Sequence, residues 1–151
     1  MTEIIEFENK YQPDFYRLNI AWLDKYCLTE SHDLMILNDP EAAIVNKGGF
    51  IWLAKAGDKI VGSAALIKEA GGIFELAKMA VDEAFQGKGI SKLLIETCIV
   101  KAKEIGAKKI ELFSNHQLAT ALSLYKKYGF NHVEVSDSPF ATADVKMEMN
   151  L

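Results

Sequence analysis

The spacing of apolar residues divides the first third of the chain into extended and helical segments. Residues 3–7 (EIIEF) are predicted to form a short first strand, and the apolar positions between residues 11 and 28 recur close to helical spacing. A second helix is predicted at residues 39–49, where an aspartate cap precedes Pro40 and glycines end the segment. Residues 29–38 fit either a short helix or a mobile loop.

Extended segments dominate after residue 49. Residues 50–56, 59–67 and 72–82 are apolar, strand-like runs. The first two are joined by Gly57 and Asp58, which have the length and composition of a tight hairpin turn. The three runs are therefore predicted to form an antiparallel meander.

Helices and strands alternate in the second half of the chain. Apolar positions from Ile90 to Ile105 mark one face of a long helix that ends at Gly106. The segments that follow are a strand at 108–114, a helix at 117–128 and strands at 130–135 and 143–150. This order predicts an α/β fold in which a mixed sheet carries helices on both faces. A chain of 151 residues is expected to form one domain, 1–151.

Composition and charge narrow the functions of this chain. The formal net charge is −4 and Arg17 is the only arginine, so neither nucleic acid nor a membrane surface is expected as a partner. The first thirty residues contain no secretory signal, and no apolar run approaches the ~18 residues of a membrane span, which predicts a cytoplasmic protein. Cys27 and Cys98 have no metal-ligand spacing, so no metal site and no disulfide scaffold are expected.

Two glycines stand where the long helix has to begin, in VDEAFQGKGISKLL at residues 81–94. Glycine costs about 1 kcal/mol relative to alanine within a helix, so helix propensity does not explain Gly87 and Gly89. Either they let the chain turn, or they expose backbone N–H groups to an anion. A dinucleotide-binding loop would need a third glycine, and no GxxxxGK[ST] phosphate loop is present.

The glycine segment resembles the acyl-CoA loop of the GNAT superfamily of N-acetyltransferases. The family pattern is Gln or Arg, two residues, Gly, one residue, then Gly or Ala. It falls here on Gln86, Gly87, Lys88, Gly89, Ile90 and Ser91, with serine at the last position. Three neighbouring segments also resemble the family, namely 75–82 (ELAKMAVD), 114–115 (SN) and 121–130 (ALSLYKKYGF). The resemblance implies a largely antiparallel central sheet flanked by helices and splayed between the fourth and fifth strands.

The resemblance implies acetyl-CoA as the acyl donor. Its pyrophosphate would lie at the start of the long helix, where unpaired N–H groups and the helix dipole favour an anion and Lys88 adds charge. The pantetheine arm would pair with the main chain of Met79, Ala80 and Val81, and an N–H there would polarise the thioester carbonyl. Asn115 is expected to bond to the pantetheine or to backbone near it.

The resemblance also implies direct attack of an amine on the thioester, through a tetrahedral intermediate. Glu75 is predicted to be the base, on the strand face shared with Ala77, Met79 and Val81. Alternative bases are Glu111, His116 and His32, whereas His132 is expected to be structural or exposed. Tyr125 is predicted to be the acid that protonates the departing CoA thiolate and to contact the cofactor.

The acceptor pocket is expected between the first two helices and residues 136–143, next to Trp22, Tyr26 and His32. Sequences of the family that this chain resembles often carry an arginine in that last loop, which could hold a substrate carboxylate. This chain has none there, so the resemblance weakens the case for an amino-acid carboxylate as ligand. The acceptor is predicted to be a primary amine, either a small amine, a polyamine, an amino-acid-like molecule or a peptide, and the negative net charge mildly favours a cationic acceptor. The alternative is a non-catalytic acyl-CoA sensor or interaction module, and a homodimer is compatible with the sequence.

Overall fold

The computed structural model describes residues 2–136 and 138–151. The strands of this part are β1 (Thr2–Glu6), β2 (Phe50–Ala56), β3 (Lys59–Lys68), β4 (Ile73–Val81), β5 (Lys109–Ser114), β6 (Asn131–Val133) and β7 (Val145–Asn150). The α-helices are α1 (Gln12–Lys25), α2 (Ser31–Asn38), α3 (Pro40–Ala43), α4 (Ile90–Glu104) and α5 (Ala119–Lys127).

All seven strands belong to one sheet, in the order β1-β2-β3-β4-β5-β7-β6. Every neighbouring pair is antiparallel except β4 and β5, which are parallel. The predicted meander is β2-β3-β4, and its first turn contains Gly57 with φ +61°. The mixed, largely antiparallel sheet predicted from the sequence is confirmed.

Helices cover both faces of the sheet. One core contains Phe15 and Leu18 of α1 with Leu37 of α2, packed against β2 and β3. The other contains Leu94 of α4 and Tyr125 of α5, packed against the opposite face. The two apolar cores confirm the predicted layers.

A gap opens between the two central strands. β4 and β5 pair only where Ile73–Glu75 lie beside Lys109–Glu111. Beyond these positions β5 keeps its partner β7 as far as Ser114, while β4 continues beside β3 to Val81. The splay that the resemblance implied is therefore present, and it leaves an edge of β4 where an extended ligand can reach backbone groups.

Several predicted boundaries change for local reasons. The first long helix stops at Lys25, just before Cys27, whose φ of +57° is not helical. The segment predicted as a helix at 39–49 forms only the single turn α3 and a short 3₁₀ turn that ends at Gly48. Residues 29–38 contain a helix, because the Glu30 and Asp33 side chains cap each other's backbone at its start. The segments predicted at 117–128 and 130–135 are shorter, as α5 and β6.

Candidate active site

The glycine loop has backbone angles that favour glycine. Gly87 and Gly89 have φ of +78° and +79°, in the left-handed region. A Cβ placed on either residue would meet no described atom within 4 Å, so the space beside the loop is open. Gly89 is the N-cap of α4 and offers no side chain to the helix start. The first turn of α4 therefore presents N–H groups to an open surface, as an anion site requires.

Neighbouring side chains tie this loop to the end of β4. The Gln86 amide donates to the Val81 carbonyl over 3.3 Å. The ammonium of Lys88 lies 5.0 Å from the centre of the Phe85 ring. Ile90 is buried at the start of α4, and a Cβ on Gly62 of β3 would lie 3.1 Å from its side chain. Gly62, which sequence analysis did not single out, lets the helix start pack close to the sheet. Ser91 follows Ile90 in the first turn of α4.

A cavity of about 110 Å³ occupies the gap between β4 and β5. Four residues predicted from the sequence to act in catalysis or cofactor binding meet in its wall, namely Glu75, Met79, Asn115 and Tyr125. Val81 and Gln86 border a second cavity of about 240 Å³, and Trp22 borders both cavities. The fold thus collects residues from three distant parts of the chain around one space.

A β-bulge in β4 changes the direction of its side chains. Ala77 is opposite Ala65 and Ala80 is opposite Ser63, so β4 contains one extra residue between them. Lys78 lies in this bulge with φ +52°. The extra residue reverses the alternation of side chains along the strand.

One prediction about Glu75 is therefore wrong. Met79 and Val81 belong to the core on the α4 side of the sheet, together with Phe74 and Leu76. Glu75, which lies between Phe74 and Leu76, points to the opposite, α1 side. Glu75 shares a face with Ala77, but not with Met79 and Val81 as predicted. It still reaches the cavity, because the cavity passes through the gap between the strands.

Glu75 is a buried carboxyl group with an unusual affinity for protons. It is 5% exposed, and no described residue donates a hydrogen bond to it. Burial raises the pKa of Glu75 to about 8, although the Lys78 ammonium acts in the opposite direction. The carboxylates of Glu69, Glu111 and Asp33 raise the pKa further. At neutral pH Glu75 is largely protonated, and it becomes a base slightly above that pH.

Lys78 and Asp33 form a buried ion pair in the cavity wall. The Lys78 Nζ lies 2.5 Å from the Asp33 Oδ1, and the two side chains are 5% and 3% exposed. The Ser63 hydroxyl donates to the Lys78 carbonyl over 2.7 Å, and the Asn19 amide donates to Ser63 over 3.0 Å. Sequence analysis missed these four residues. Their signal was the presence of Ser63 and Lys78 inside otherwise apolar strands.

Tyr125 points from α5 towards the gap between β4 and β5. Its hydroxyl lies 3.8 Å from the Met79 sulfur, and the residue is 9% exposed. Burial raises the pKa of Tyr125 to about 12, so the hydroxyl stays protonated across neutral pH. Tyr125 therefore carries its proton at the edge of the cavity at neutral pH.

Asn115 connects the end of β5 to the last loop. Its amide nitrogen donates to the Thr142 carbonyl over 2.8 Å, and its side-chain oxygen accepts from the Gln117 backbone over 3.0 Å. These bonds fix the Asn115 side chain against the backbone of Thr142 and Gln117. The amide keeps a second N–H that can reach a ligand.

The alternative bases Glu111, His116 and His32 do not line the cavity, although Glu111 is the strand partner of Glu75. Glu111 forms an ion pair with Lys146 at 3.4 Å, and His116 is exposed and hydrogen-bonded to Asp144. The His32 ring packs against the Phe140 ring with 5.0 Å between their centres. His132 is exposed on β6, as expected. Among the described residues that were considered as bases, only Glu75 borders the cavity.

The predicted acceptor segments form the outer wall of the cavity. Trp22 of α1 borders it, as do Phe140, Thr142 and Ala143 of the last loop. Tyr26 packs behind Trp22, with 5.2 Å between ring centres. Asp137, which falls within the predicted acceptor segment 136–143, lies outside the described residues.

The chain resembles known acetyltransferases in sequence. The profile of the acetyltransferase (GNAT) domain family matches residues 47–132, more than half of the chain. The uncharacterized N-acetyltransferase YvbK of Bacillus subtilis is 37% identical over 114 residues, which cover 74% of this chain and 73% of YvbK. Several further curated relatives are longer, and the chain spans between 30% and 63% of their length.

Solved structures share the fold along nearly the whole chain. An acetyltransferase of the GNAT family from Staphylococcus aureus has a TM-score of 0.91 and 24% identity, with 99% of both chains covered. A Bacillus subtilis acetyltransferase in complex with CoA has a TM-score of 0.75 and 25% identity, with 100% of this chain and 99% of that chain covered. The fold class predicted from the sequence is confirmed.

The described residues contain neither a membrane-spanning helix nor a cluster of metal ligands. No helix among them is both long and apolar enough to cross a membrane. Within residues 2–136 and 138–151, no group of three or more His, Cys, Asp or Glu side chains is arranged to hold a metal ion.

Proposed function

This chain belongs to the GNAT superfamily and is an N-acetyltransferase with acetyl-CoA as cosubstrate, and we propose that it acetylates a primary amine by direct attack in the cavity between β4 and β5. The observation that carries the proposal is that Glu75 and Tyr125 border the same cavity. One is a carboxyl group whose pKa of about 8 suits a base, and the other is a hydroxyl that remains protonated.

The donor would bind along β4 and the start of α4. The pyrophosphate would accept hydrogen bonds from the N–H groups of residues 87–91, with the Lys88 ammonium beside it. The pantetheine arm would extend along the free edge of β4, where it pairs with backbone groups of Met79, Ala80 and Val81. Asn115, fixed by Thr142, would bond to the arm from the side of β5.

The acetyl group would then lie in the gap, within reach of both catalytic side chains. Glu75 accepts a proton from the acceptor ammonium, directly or through one water, and the amine nitrogen attacks the thioester carbon. A backbone N–H of Met79, Ala80 or Val81 stabilises the oxyanion of the tetrahedral intermediate. The carbon–sulfur bond breaks and Tyr125 gives its proton to the sulfur. The nitrogen loses its second proton to the Tyr125 phenolate as the amide forms, and solvent removes the proton from Glu75.

The proposal is tested by thiol release. Purified protein is mixed with acetyl-CoA and a panel of primary amines, and free CoA thiol is measured against an amine-free control. The proposal predicts amine-dependent thiol release together with an equal amount of acetylated amine. Tight acetyl-CoA binding without release for any amine would support the alternative, a CoA-binding sensor or interaction module.

A further inference from the structure

The cavity wall contains few charges, and Asp33 and Lys78 neutralise each other. We call the end that Trp22 and the last loop border the acceptor end. The charged side chains in the cavity wall are Asp33, Glu75 and Lys78. Lys78 is the only cation among the described residues of this wall, and it is already paired with Asp33. Arg17 borders the second cavity and is bonded to Asp14 and to the Ile60 carbonyl. An acceptor carboxylate would therefore find no uncompensated cation in the wall.

The rest of the wall is largely apolar and aromatic. The rings of Trp22, Phe113 and Phe140 border the cavity, with Leu23 and Leu28 beside them. Its volume of about 110 Å³, which the acetyl group proposed to lie in the gap would share, is well below the ~300–1,000 Å³ of pockets that enclose drug-sized ligands. The space suits a compact acceptor with an apolar body.

The last loop is fastened across this acceptor end. The Glu30 carboxylate accepts bonds from the backbone N–H groups of Ala141 and Thr142, both over 2.9 Å, and from the Thr142 hydroxyl. Burial opposes the charge of Glu30, but these hydrogen bonds outweigh it and lower the pKa of Glu30. The bonds join the start of α2 to the loop that carries Phe140, so a polypeptide acceptor would meet a loop that is held in place.

We propose that the acceptor is a compact primary amine with an uncharged, apolar or aromatic body, and that its amino group meets Glu75. This inference rests on the proposed function and specifies its substrate class. An amino acid would have to place a desolvated carboxylate among aromatic rings and beside the carboxyl groups of Asp33 and Glu75. A lysine within a peptide would have to bring its main chain against the fastened loop.

The first test compares amines that differ in one feature. Phenethylamine and phenylalanine differ only in a carboxylate, and benzylamine and isoamylamine vary the apolar part of the amine. Spermidine adds further positive charges, and a lysine-containing peptide adds a main chain. We expect kcat/KM to be about 100-fold higher for at least one of the three uncharged-body amines than for phenylalanine, spermidine and the peptide. A higher value for any of those three overturns the inference but leaves the proposed function standing. Thiol release with none of the amines contradicts the proposed function, and the inference with it.

The second test gives the wall a cation that can bind a carboxylate. In Asp33→Asn, Lys78 loses its partner, while the amide oxygen can still accept from the backbone N–H of Glu30. We expect kcat/KM for phenylalanine to rise about tenfold relative to that for phenethylamine. The double variant Asp33→Asn/Lys78→Met, whose fold is checked by its melting temperature, should lose this gain. Equal acceptor preference in the wild type and a folded Asp33→Asn would contradict the role given to the pair.

Discussion

Burial raises the pKa of both side chains that we propose to act in catalysis, but to different values. Glu75 has a pKa of about 8 and keeps its proton below that pH, because its charged form would be desolvated. Tyr125 keeps its proton well beyond neutral pH for the same reason. Glu75 can thus exchange a proton near neutral pH while Tyr125 stays protonated, which is the division that the proposed acyl transfer to an amine requires.

Replacing Glu75 tests the base. Glu75→Gln should lower kcat by about 10²–10³-fold with little change in acetyl-CoA affinity, because glutamine keeps the shape but accepts no proton. In the wild type, activity should rise with pH through about 8 as Glu75 ionises, and this limb should vanish in the variant. The measurement is a pH–rate profile at saturating acetyl-CoA. In the control Glu111→Gln the limb should remain and move to slightly lower pH, because the Glu111 carboxylate raises the pKa of Glu75. A limb that survives in Glu75→Gln would assign the base to another group.

Replacing Tyr125 tests the acid. Tyr125→Phe removes only the hydroxyl, which contacts the Met79 sulfur at 3.8 Å, so the loss in stability should be about 1 kcal/mol or less. Turnover at saturating acetyl-CoA should nevertheless fall by about 10²–10⁴-fold, with CoA binding retained. Tyr128→Phe, on the same helix end, is the matched control. Normal turnover in Tyr125→Phe would show that Tyr125 contributes only to packing.

At the scale of elements, local signals predicted some features and missed others. The need for glycine before α4 is local, because positive φ at Gly87 and Gly89 follows from the turn itself. The bulge at Lys78 is not local. It depends on Ser63 and Asn19, which support the Lys78 carbonyl from β3 and α1, and Lys78 is itself not a residue type that favours positive φ. Sequence alternation therefore assigned Glu75 to the wrong set of neighbours.

The glycine loop can be tested against a glycine of similar conformation. Gly89→Glu adds bulk and negative charge where the pyrophosphate is proposed to lie, so acetyl-CoA affinity should fall by at least 100-fold. Gly57→Glu is the matched control, because Gly57 also has positive φ and open space around it but lies in the β2–β3 turn. Both variants should lose about 1–2 kcal/mol of stability from backbone strain. Calorimetric titration that finds equal affinities in both would contradict an anion site at α4.

At the scale of the whole molecule, the sequence of helices and strands along the chain followed from the apolar pattern, while their order in the sheet and the closure of the cavity did not. The meander and the alternating helices and strands predict a mixed sheet, and the gap came from the resemblance to a known family. The bonds from Glu30 to Ala141 and Thr142 join residues more than a hundred positions apart. The ion pair of Asp33 with Lys78 is likewise long-range. No local pattern reveals such contacts, so the acceptor end was the least predictable part.

The burial of Glu75 should also appear in the stability of the whole protein. Its pKa is raised from 4.5 to about 8 on folding, so the folded state binds the proton more tightly than the unfolded state. The contribution of Glu75 to the free energy of unfolding is present in full below pH 4.5 and is lost as pH rises through about 8. Denaturant unfolding between pH 5 and 9 should therefore show a decline in the free energy of unfolding that is weaker in Glu75→Gln. Parallel curves for the two proteins would contradict the raised pKa.

The most direct test of the central claim is to locate the bound donor on the chain. In ¹⁵N–¹H NMR spectra titrated with CoA, the largest shifts should fall on the amides of Met79–Val81 and Gly87–Ser91, with smaller shifts at Asn115. The amides of β1, on the far edge of the sheet, should not move. Shifts confined to α1, with residues 79–81 and 87–91 unchanged, would contradict the account.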